Sequence, residues 1–150
     1  MKIRIESSQT DEIVIRYTEN AEHAALLKAT IETALFGEAK LPLTDSGAEY
    51  FIPQNDILFF DSCNGKVYAH TASHVYVAHY KLFELEELLS FRFVRISKST
   101  IANIDQVIAI RRELVGNGEL LFRNCDKKAY FSRSYYKLLE YKINEMRLKK

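Results

Sequence analysis

The side chains best suited to chemistry in this 150-residue sequence lie at predicted turns and at the start of a predicted helix. Asn64 and Lys66 flank the turn in "CNGK", Lys98 lies within "RISKST", and Arg133 lies between two serines before the last predicted helix. A helix N-terminus with free backbone N–H groups, hydroxyls and an arginine is suited to binding an anion. Asn, Lys and Arg on loops can also hydrogen-bond base edges in a DNA major groove. Simple solvation of a charged side chain is the competing explanation for Lys98 and Arg133.

Three histidines crowd one predicted strand pair, but their spacing is not that of a metal site. "TAS" is typical of a turn and would separate His70 from His74, while His79 has the opposite strand parity. No HExxH motif and no cysteine-rich spacing accompanies them. We therefore expect surface or half-buried histidines in a hairpin, and no bound metal.

Enzyme motifs are absent as well. The chain has no GxSxG, no P-loop and no GxGxxG. The carboxylates of "FELEELL" have helical spacing, which is typical of a solvated helix face. Cys63 and Cys125 belong to no CxxC pair, so we expect free thiols in or near turns. We expect no catalytic residues, no cofactor and no small-molecule substrate. A small hydrolase would need a pocket that gathers His70 or His74 with a carboxylate.

Charge is divided unevenly along the chain. Residues 1–90 carry seven Lys and Arg against fourteen Asp and Glu, a net charge of −7, and residues 91–150 carry fourteen against six, a net charge of +8. A basic C-terminal part is expected when one surface faces a polyanion, although scattered lysines that keep a protein soluble would give the same count. The chain has neither a signal-peptide-like start nor an apolar run long enough for a membrane span, so we expect a cytoplasmic protein.

The elements that must position these side chains begin with a short N-terminal part. Residues 2–6 and 12–17 have the apolar character of strands. Residues 21–36 are predicted to form an amphipathic helix, with Asn20 and Gly37 as its caps. Its apolar face comprises Ala24, Leu27, Ile31 and Ala34. A weak boundary follows in "FGEAKLPLTDSG".

The remainder is rich in short apolar runs separated by turn chemistry, of which "CNG" is the clearest hairpin signal. A helix over residues 81–90 interrupts these runs, and a final helix begins near Ser132, which we interpret as its N-cap. Leu82, Leu85, Leu88 and Leu89 are assigned to the inner side of the first helix, and Tyr136, Leu139, Ile143 and Met146 to one face of the second. The predicted strands span residues 49–53, 56–62, 66–71, 73–79, 91–96, 99–104, 106–112, 119–124 and 128–132.

Three segments, in this order, resemble the LytTR family of bacterial DNA-binding domains: "DILFFDSCNGKVYAHT", "LFELEELLSFRFVRISKSTIANIDQVIAI" and "KKAYFSRSYYKLLEYKI". The family pattern is an acid–Ile–hydrophobic strand that ends in an acid and a small residue, followed by a leucine-bearing helix and a phenylalanine. The pattern continues with a basic–apolar–polar–basic/polar–Ser stretch and an asparagine, and it ends with Ser-Arg before a closing helix. The resemblance covers roughly residues 45–146.

The resemblance implies a mainly β, α+β fold of elongated antiparallel sheets. Residues 45–150 would be the DNA-binding domain, with residues 1–44 as a strand–strand–helix extension and a helix at the C-terminus. It also implies a transcriptional regulator that reads promoter repeats in double-stranded DNA with loops, often with two protomers at one site. The DNA-facing residues that it implies are Asn64, Lys66, Ser97, Lys98, Arg133 and Ser134.

Within the second segment, residues 97–100 are predicted to form a link that projects between two core segments. The family often has His or Asn where this chain has Ser97 and Lys98, which leaves a base contact and a phosphate contact open for Lys98. A segment of 44 residues cannot hold a receiver domain, so the chain is similar to stand-alone members, some of which accompany small membrane proteins that restrain them. Such a partner is expected by analogy.

A protein-interaction module is the alternative from a different class. The N-terminal helix and the acidic half would then bind another protein, and the basic loops would be incidental. A continuous positive face formed by the three loops would favour DNA, whereas dispersed positive charge would favour this alternative.

Overall fold

Two antiparallel sheets carry most of the computed structural model, which describes residues 21–36 and 39–147 together with positions 9, 14 and 16. The predicted strands at residues 2–6 and 12–17 lie outside the two continuous stretches. In chain order the helices and strands are α1 (Ala21–Phe36), β1 (Lys40–Asp45), β2 (Ala48–Pro53), β3 (Ile57–Cys63), β4 (Lys66–Thr71), β5 (Val75–Ala78), α2 (Leu82–Leu88), β6 (Phe93–Ser97), β7 (Thr100–Asn103), β8 (Val107–Arg112), β9 (Gly118–Phe122), β10 (Lys128–Phe131) and α3 (Tyr136–Arg147). The predicted antiparallel β-rich fold with a C-terminal helix is confirmed.

The larger sheet has the strand order β2-β1-β5-β4-β3-β7-β6, and the smaller one has the order β10-β9-β8. Strand β1 was not predicted, because Pro42 lacks the N–H that a central strand uses. The proline is tolerated because β1 pairs fully with β2 but meets β5 only at Thr44, opposite Val77. Residues 40–44, which the sequence prediction placed in the extension, therefore belong to this sheet.

The core has two parts, one on each face of the larger sheet. Alternation along the strands sends Phe60 and Ile101 to the face that α2 covers, and Phe59 and Ala102 to the face that the smaller sheet and α3 cover. Leu139 of α3 is fully buried in the second part. The strands that lead to the predicted site residues are packed in these two parts of the core.

Helix α2 buries Leu82 and Leu85, and its C-cap residue Leu89 is buried as well, but Leu88 is 55% exposed. The inward prediction for Leu88 is wrong, because at 100° per residue it lies well away from the stripe formed by the other three. In the described part of the chain, no helix has the length and apolar character needed to cross a bilayer.

Helix α1 has the predicted bounds of residues 21–36. Its predicted apolar face is only half-buried at Ala24, Leu27 and Ile31, and Ala34 is exposed. The predicted caps of this helix lie outside the described residues.

Candidate nucleic-acid interface

The β3–β4 turn presents Asn64 and Lys66 to solvent. Cys63 and Lys66 are paired across the hairpin, and both turn residues have positive φ, 52° for Asn64 and 78° for Gly65. Two consecutive positive φ values are typical of a type I′ turn, which asparagine and glycine favour. The predicted hairpin is therefore formed, with Asn64 and Lys66 exposed at its end.

The β6–β7 turn consists of Lys98 and Ser99, both exposed, with Ser97 opposite Thr100. The Ser99 N–H donates to Ser97 Oγ at 3.2 Å, so this hydroxyl is part of the turn. Thr100 is 8% exposed and belongs to β7. The projecting link is therefore shorter than predicted, because pairing with β6 and β3 draws Thr100 into the sheet.

Arg133 and Ser134 are exposed on a single 3-10 turn, Arg133–Tyr135, that precedes α3. The prediction that the helix begins near Ser132 is corrected to an α-helical start at Tyr136. Ser132 occupies the N-cap position of this 3-10 turn, as predicted, but its side chain forms no capping hydrogen bond. Its Oγ lies 3.3 Å from Ser134 Oγ instead.

Two backbone hydrogen bonds join these three segments. The Ser62 N–H donates to the Ser99 carbonyl at 2.8 Å, and the Ser132 N–H donates to the Ile96 carbonyl at 2.9 Å. The β6–β7 turn therefore lies between the β3–β4 hairpin and the turn that carries Arg133. We call the exposed members of the predicted DNA-facing set the loop surface: Asn64, Lys66, Lys98, Arg133 and Ser134.

The loop surface carries three cations. In the part of the chain that the structure describes, Lys66, Lys98 and Arg133 form no ion pair with a carboxylate. Arg111, in contrast, pairs with Glu119 at 2.8 Å on β8 and β9. The uncompensated positive charge is therefore contributed by all three neighbouring segments.

The β8–β9 turn also touches this surface, which the sequence pattern did not predict. A Cβ placed on Gly116 would lie 2.8 Å from Arg133 Cγ, so the aliphatic part of the arginine rests on the glycine. Gly116 has a φ of +98°, which L side chains rarely adopt. Glycine within "VGNGE" signalled a turn, but nothing in that signal indicated which side chain the turn would meet.

An open groove of about 770 Å³ runs beside the loop surface, between β10 and the larger sheet. Its lining includes Ser97, Ser132, Lys127, Tyr130 and the pair formed by His70 and Asp61. Burial lowers the pKa of Lys127, and the charge of Cys125 partly offsets that effect. The Lys127 ammonium donates to the His74 carbonyl at 2.9 Å, which ties the two walls together.

The groove meets the geometric condition set for a hydrolase, because His70 Nε2 lies 2.7 Å from Asp61 Oδ1. The imidazole also stacks on Phe59, with ring centroids 4.2 Å apart. Nucleophilic catalysis needs a serine or cysteine within hydrogen-bond reach of the histidine. In the described structure, hydrogen bonds join His70 to Asp61 and to no such nucleophile, so the pair fits a half-buried structural contact.

The other two histidines of the predicted strand pair, His74 and His79, have separate partners. His74 Nε2 lies 3.0 Å from Asp45 Oδ2, and His79 Nε2 lies 2.9 Å from Thr44 Oγ1. The predicted turn between His70 and His74 is present at Ala72 and Ser73. Across the described residues, His, Cys, Asp and Glu side chains form no group of three that could hold a metal ion.

Comparison with known proteins decides the family. The sequence pattern of the LytTr DNA-binding domain matches residues 48–144. The chain belongs to the LytTR family. Among solved structures it is similar to the LytTr DNA-binding domain of a response regulator from Bacillus cereus, with a TM-score of 0.66 and 21% identity over 71% of this chain and 98% of that chain. At that identity the likeness shows the fold, and no curated protein matches the sequence.

LytTR membership assigns the chain to a DNA-binding family and not to an enzymatic one. Double-stranded DNA is the partner that membership supports, and regulation of transcription is the typical role of such a domain. The matched residues include every predicted DNA-facing position, from Asn64 to Ser134.

Proposed function

We propose that this protein is a transcriptional regulator that reads promoter repeats in double-stranded DNA through the loop surface. The observation that carries the proposal is the adjacency of three exposed segments, each with a cation that no carboxylate of the described residues pairs with. Phosphate contacts by such cations release counterions and supply affinity. Side chains that project beyond the backbone from tight turns can also reach base edges in a major groove.

Each segment contributes a pair of predicted contacts. Asn64 and Lys66 come from the type I′ turn, Arg133 and Ser134 from the 3-10 turn, and Ser97 and Lys98 from the turn between them. The Ser97 hydroxyl also shapes that turn, because it accepts the Ser99 N–H. Arginine is the residue best suited to a bidentate contact with guanine, so Arg133 is assigned a base contact. Lysine is a point charge on a flexible stem, and Lys98 is therefore assigned to either a base or a phosphate.

Two further parts of the proposal concern assembly and regulation. Two protomers would occupy neighbouring repeats, because one loop surface can span only a short stretch of duplex. Residues upstream of the sheet, with α1, would form the extension that receives regulatory input, and a membrane protein is the partner expected by analogy.

Selection of bound fragments from random double-stranded DNA tests this proposal directly. The expected result is enrichment of a repeated motif, and retention that falls steeply as salt rises. A parallel selection with the Lys98→Ala/Arg133→Ala double variant should lose the motif. Recovery of unenriched DNA by the parent protein would contradict sequence-specific reading.

A further inference from the structure

Arg95 links helix α2 to the β6–β7 turn. From β6, its Nε donates to the Ser97 carbonyl at 2.8 Å, one terminal nitrogen donates to the Lys98 carbonyl, and the other pairs with the Glu86 carboxylate. The Arg95 side chain is 21% exposed. One guanidinium therefore holds the two carbonyls at the base of the Lys98 turn and anchors them to a helix.

These contacts restrain the turn that presents Lys98. A two-residue turn leaves its carbonyls available to water, and water can satisfy them in many backbone orientations. The planar, rigid fork of a guanidinium fixes the relative orientation of the groups that it binds. The Lys98 side chain itself remains exposed, so the restraint acts on its backbone and leaves its ammonium free for DNA.

Direct contact between Arg95 and DNA does not fit the same geometry. All three guanidinium nitrogens already donate to protein acceptors, and Glu86 compensates the positive charge. A phosphate contact would require Arg95 to break at least one of these bonds. The neighbouring Lys98 has no such bonds to a carboxylate in the described structure.

We propose that Arg95, held by Glu86, is a positioning residue for DNA recognition: it fixes the β6–β7 turn so that Lys98 meets its target in one geometry. The proposal rests on the proposed function and deepens it, because selectivity at the Lys98 contact then depends on a residue that does not touch DNA. Lysine cannot replace Arg95, since a point charge does not reproduce the three-way fork.

The first test uses the full chain without DNA. Backbone amide hydrogen exchange is measured at Ser99, whose N–H donates to Ser97 Oγ, and at Ser62, whose N–H donates to the Ser99 carbonyl. The parent is compared with Arg95→Lys and Glu86→Gln, and Arg111→Lys is the matched control in a second Arg–Glu pair. Exchange at these two amides should accelerate by about tenfold or more in the first two variants, because local opening becomes easier. The control should leave it unchanged. Parent-like exchange in Arg95→Lys would overturn the proposal.

The second test measures base preference on the selected DNA. Lys98→Ala should lower the preference for particular bases at some positions of the selected DNA. Arg95→Lys should lower the base preference at the same positions by about tenfold and leave the salt dependence of affinity unchanged. The Arg95→Lys/Lys98→Ala double variant should lose no more than Lys98→Ala alone. If Arg95→Lys lowered affinity uniformly across sequences while Lys98→Ala lowered base preference, the positioning role would be overturned.

The two tests separate two kinds of failure. In the first case, the turn loosens in Arg95→Lys but Lys98→Ala leaves DNA binding intact. Lys98 is then not a DNA contact, so both the proposed function of this loop and the role of Arg95 in recognition are refuted. If Lys98→Ala weakens binding and Arg95→Lys does not, the proposed function stands and the positioning role is refuted.

Discussion

Gly116→Ala is a substitution outside the predicted DNA contacts that should weaken DNA binding. The added Cβ would lie 2.8 Å from Arg133 Cγ and 3.1 Å from Cδ. Non-bonded carbon atoms do not approach that closely, so one of the two groups must move. Arg133 is exposed and flexible, and we expect its side chain to rotate away from the β8–β9 turn.

Two energies follow from this geometry. The positive φ of Gly116 costs an alanine about 1–2 kcal/mol of folding free energy. Gly47 has a φ of +81° with nothing within 4 Å of its added Cβ, so Gly47→Ala should incur a similar cost without moving any side chain. Displacing Arg133 should remove about 1–3 kcal/mol of DNA-binding free energy, or about 5- to 150-fold in affinity.

Urea unfolding and fluorescence-anisotropy titration of the selected DNA would measure the two effects separately. Both glycine variants should lose similar unfolding free energy, and only Gly116→Ala should lose affinity. In the Arg133→Ala background, Gly116→Ala should weaken binding no further. Equal DNA affinity of Gly116→Ala and Gly47→Ala would refute the claim that the β8–β9 turn supports Arg133.

Three further predictions concern stability and charge. Asn103 is fully buried; its side-chain amide donates to the Ile57 carbonyl at 2.9 Å, and its side-chain oxygen accepts from the Asp105 N–H at 3.1 Å. Asn103→Ala should therefore lower the free energy of unfolding by about 1–3 kcal/mol, measured by urea unfolding. An unchanged unfolding midpoint would contradict this prediction. Lys66→Gln should reduce the salt slope of DNA binding by about 1, if it contacts a phosphate. A side-chain NMR titration should give Lys127 a pKa below the usual lysine value because of burial. Between the lowered pKa and the usual lysine pKa, Lys127 is protonated in the unfolded state and deprotonated in the folded state, so its contribution to stability should rise with pH in that interval. A measured pKa at or above the usual lysine value would contradict the prediction.

Local chemistry in the sequence was sufficient to predict most elements. The strand at residues 66–71 has the predicted bounds, and the turn at Asn64 and Gly65 forms because these two residue types accept positive φ. Strand β1 was missed because Pro42 argues against a strand, and its tolerance depends on how little β5 pairs there. Such tolerance is a property of the neighbouring strand and not of the local sequence.

The candidate site depends more heavily on distant contacts. The residues of the loop surface could be named from turn chemistry and family resemblance, but the bonds that join their segments connect residues 37 and 36 positions apart, Ser62 with Ser99 and Ser132 with Ile96. Periodicity carries no information on such pairings. For the same reason the supporting roles of Gly116 and Arg95 emerge only from the packed structure.

The affinity of the Lys98→Ala/Arg133→Ala double variant for the selected DNA fragment tests the central claim most directly. Two lost contacts should weaken binding by roughly 2–6 kcal/mol if they act independently, with a cooperative unfolding transition retained. The residual binding should show little preference for the selected motif over random DNA. If the double variant binds the fragment as tightly and as selectively as the parent, the loop surface is not the DNA-reading surface.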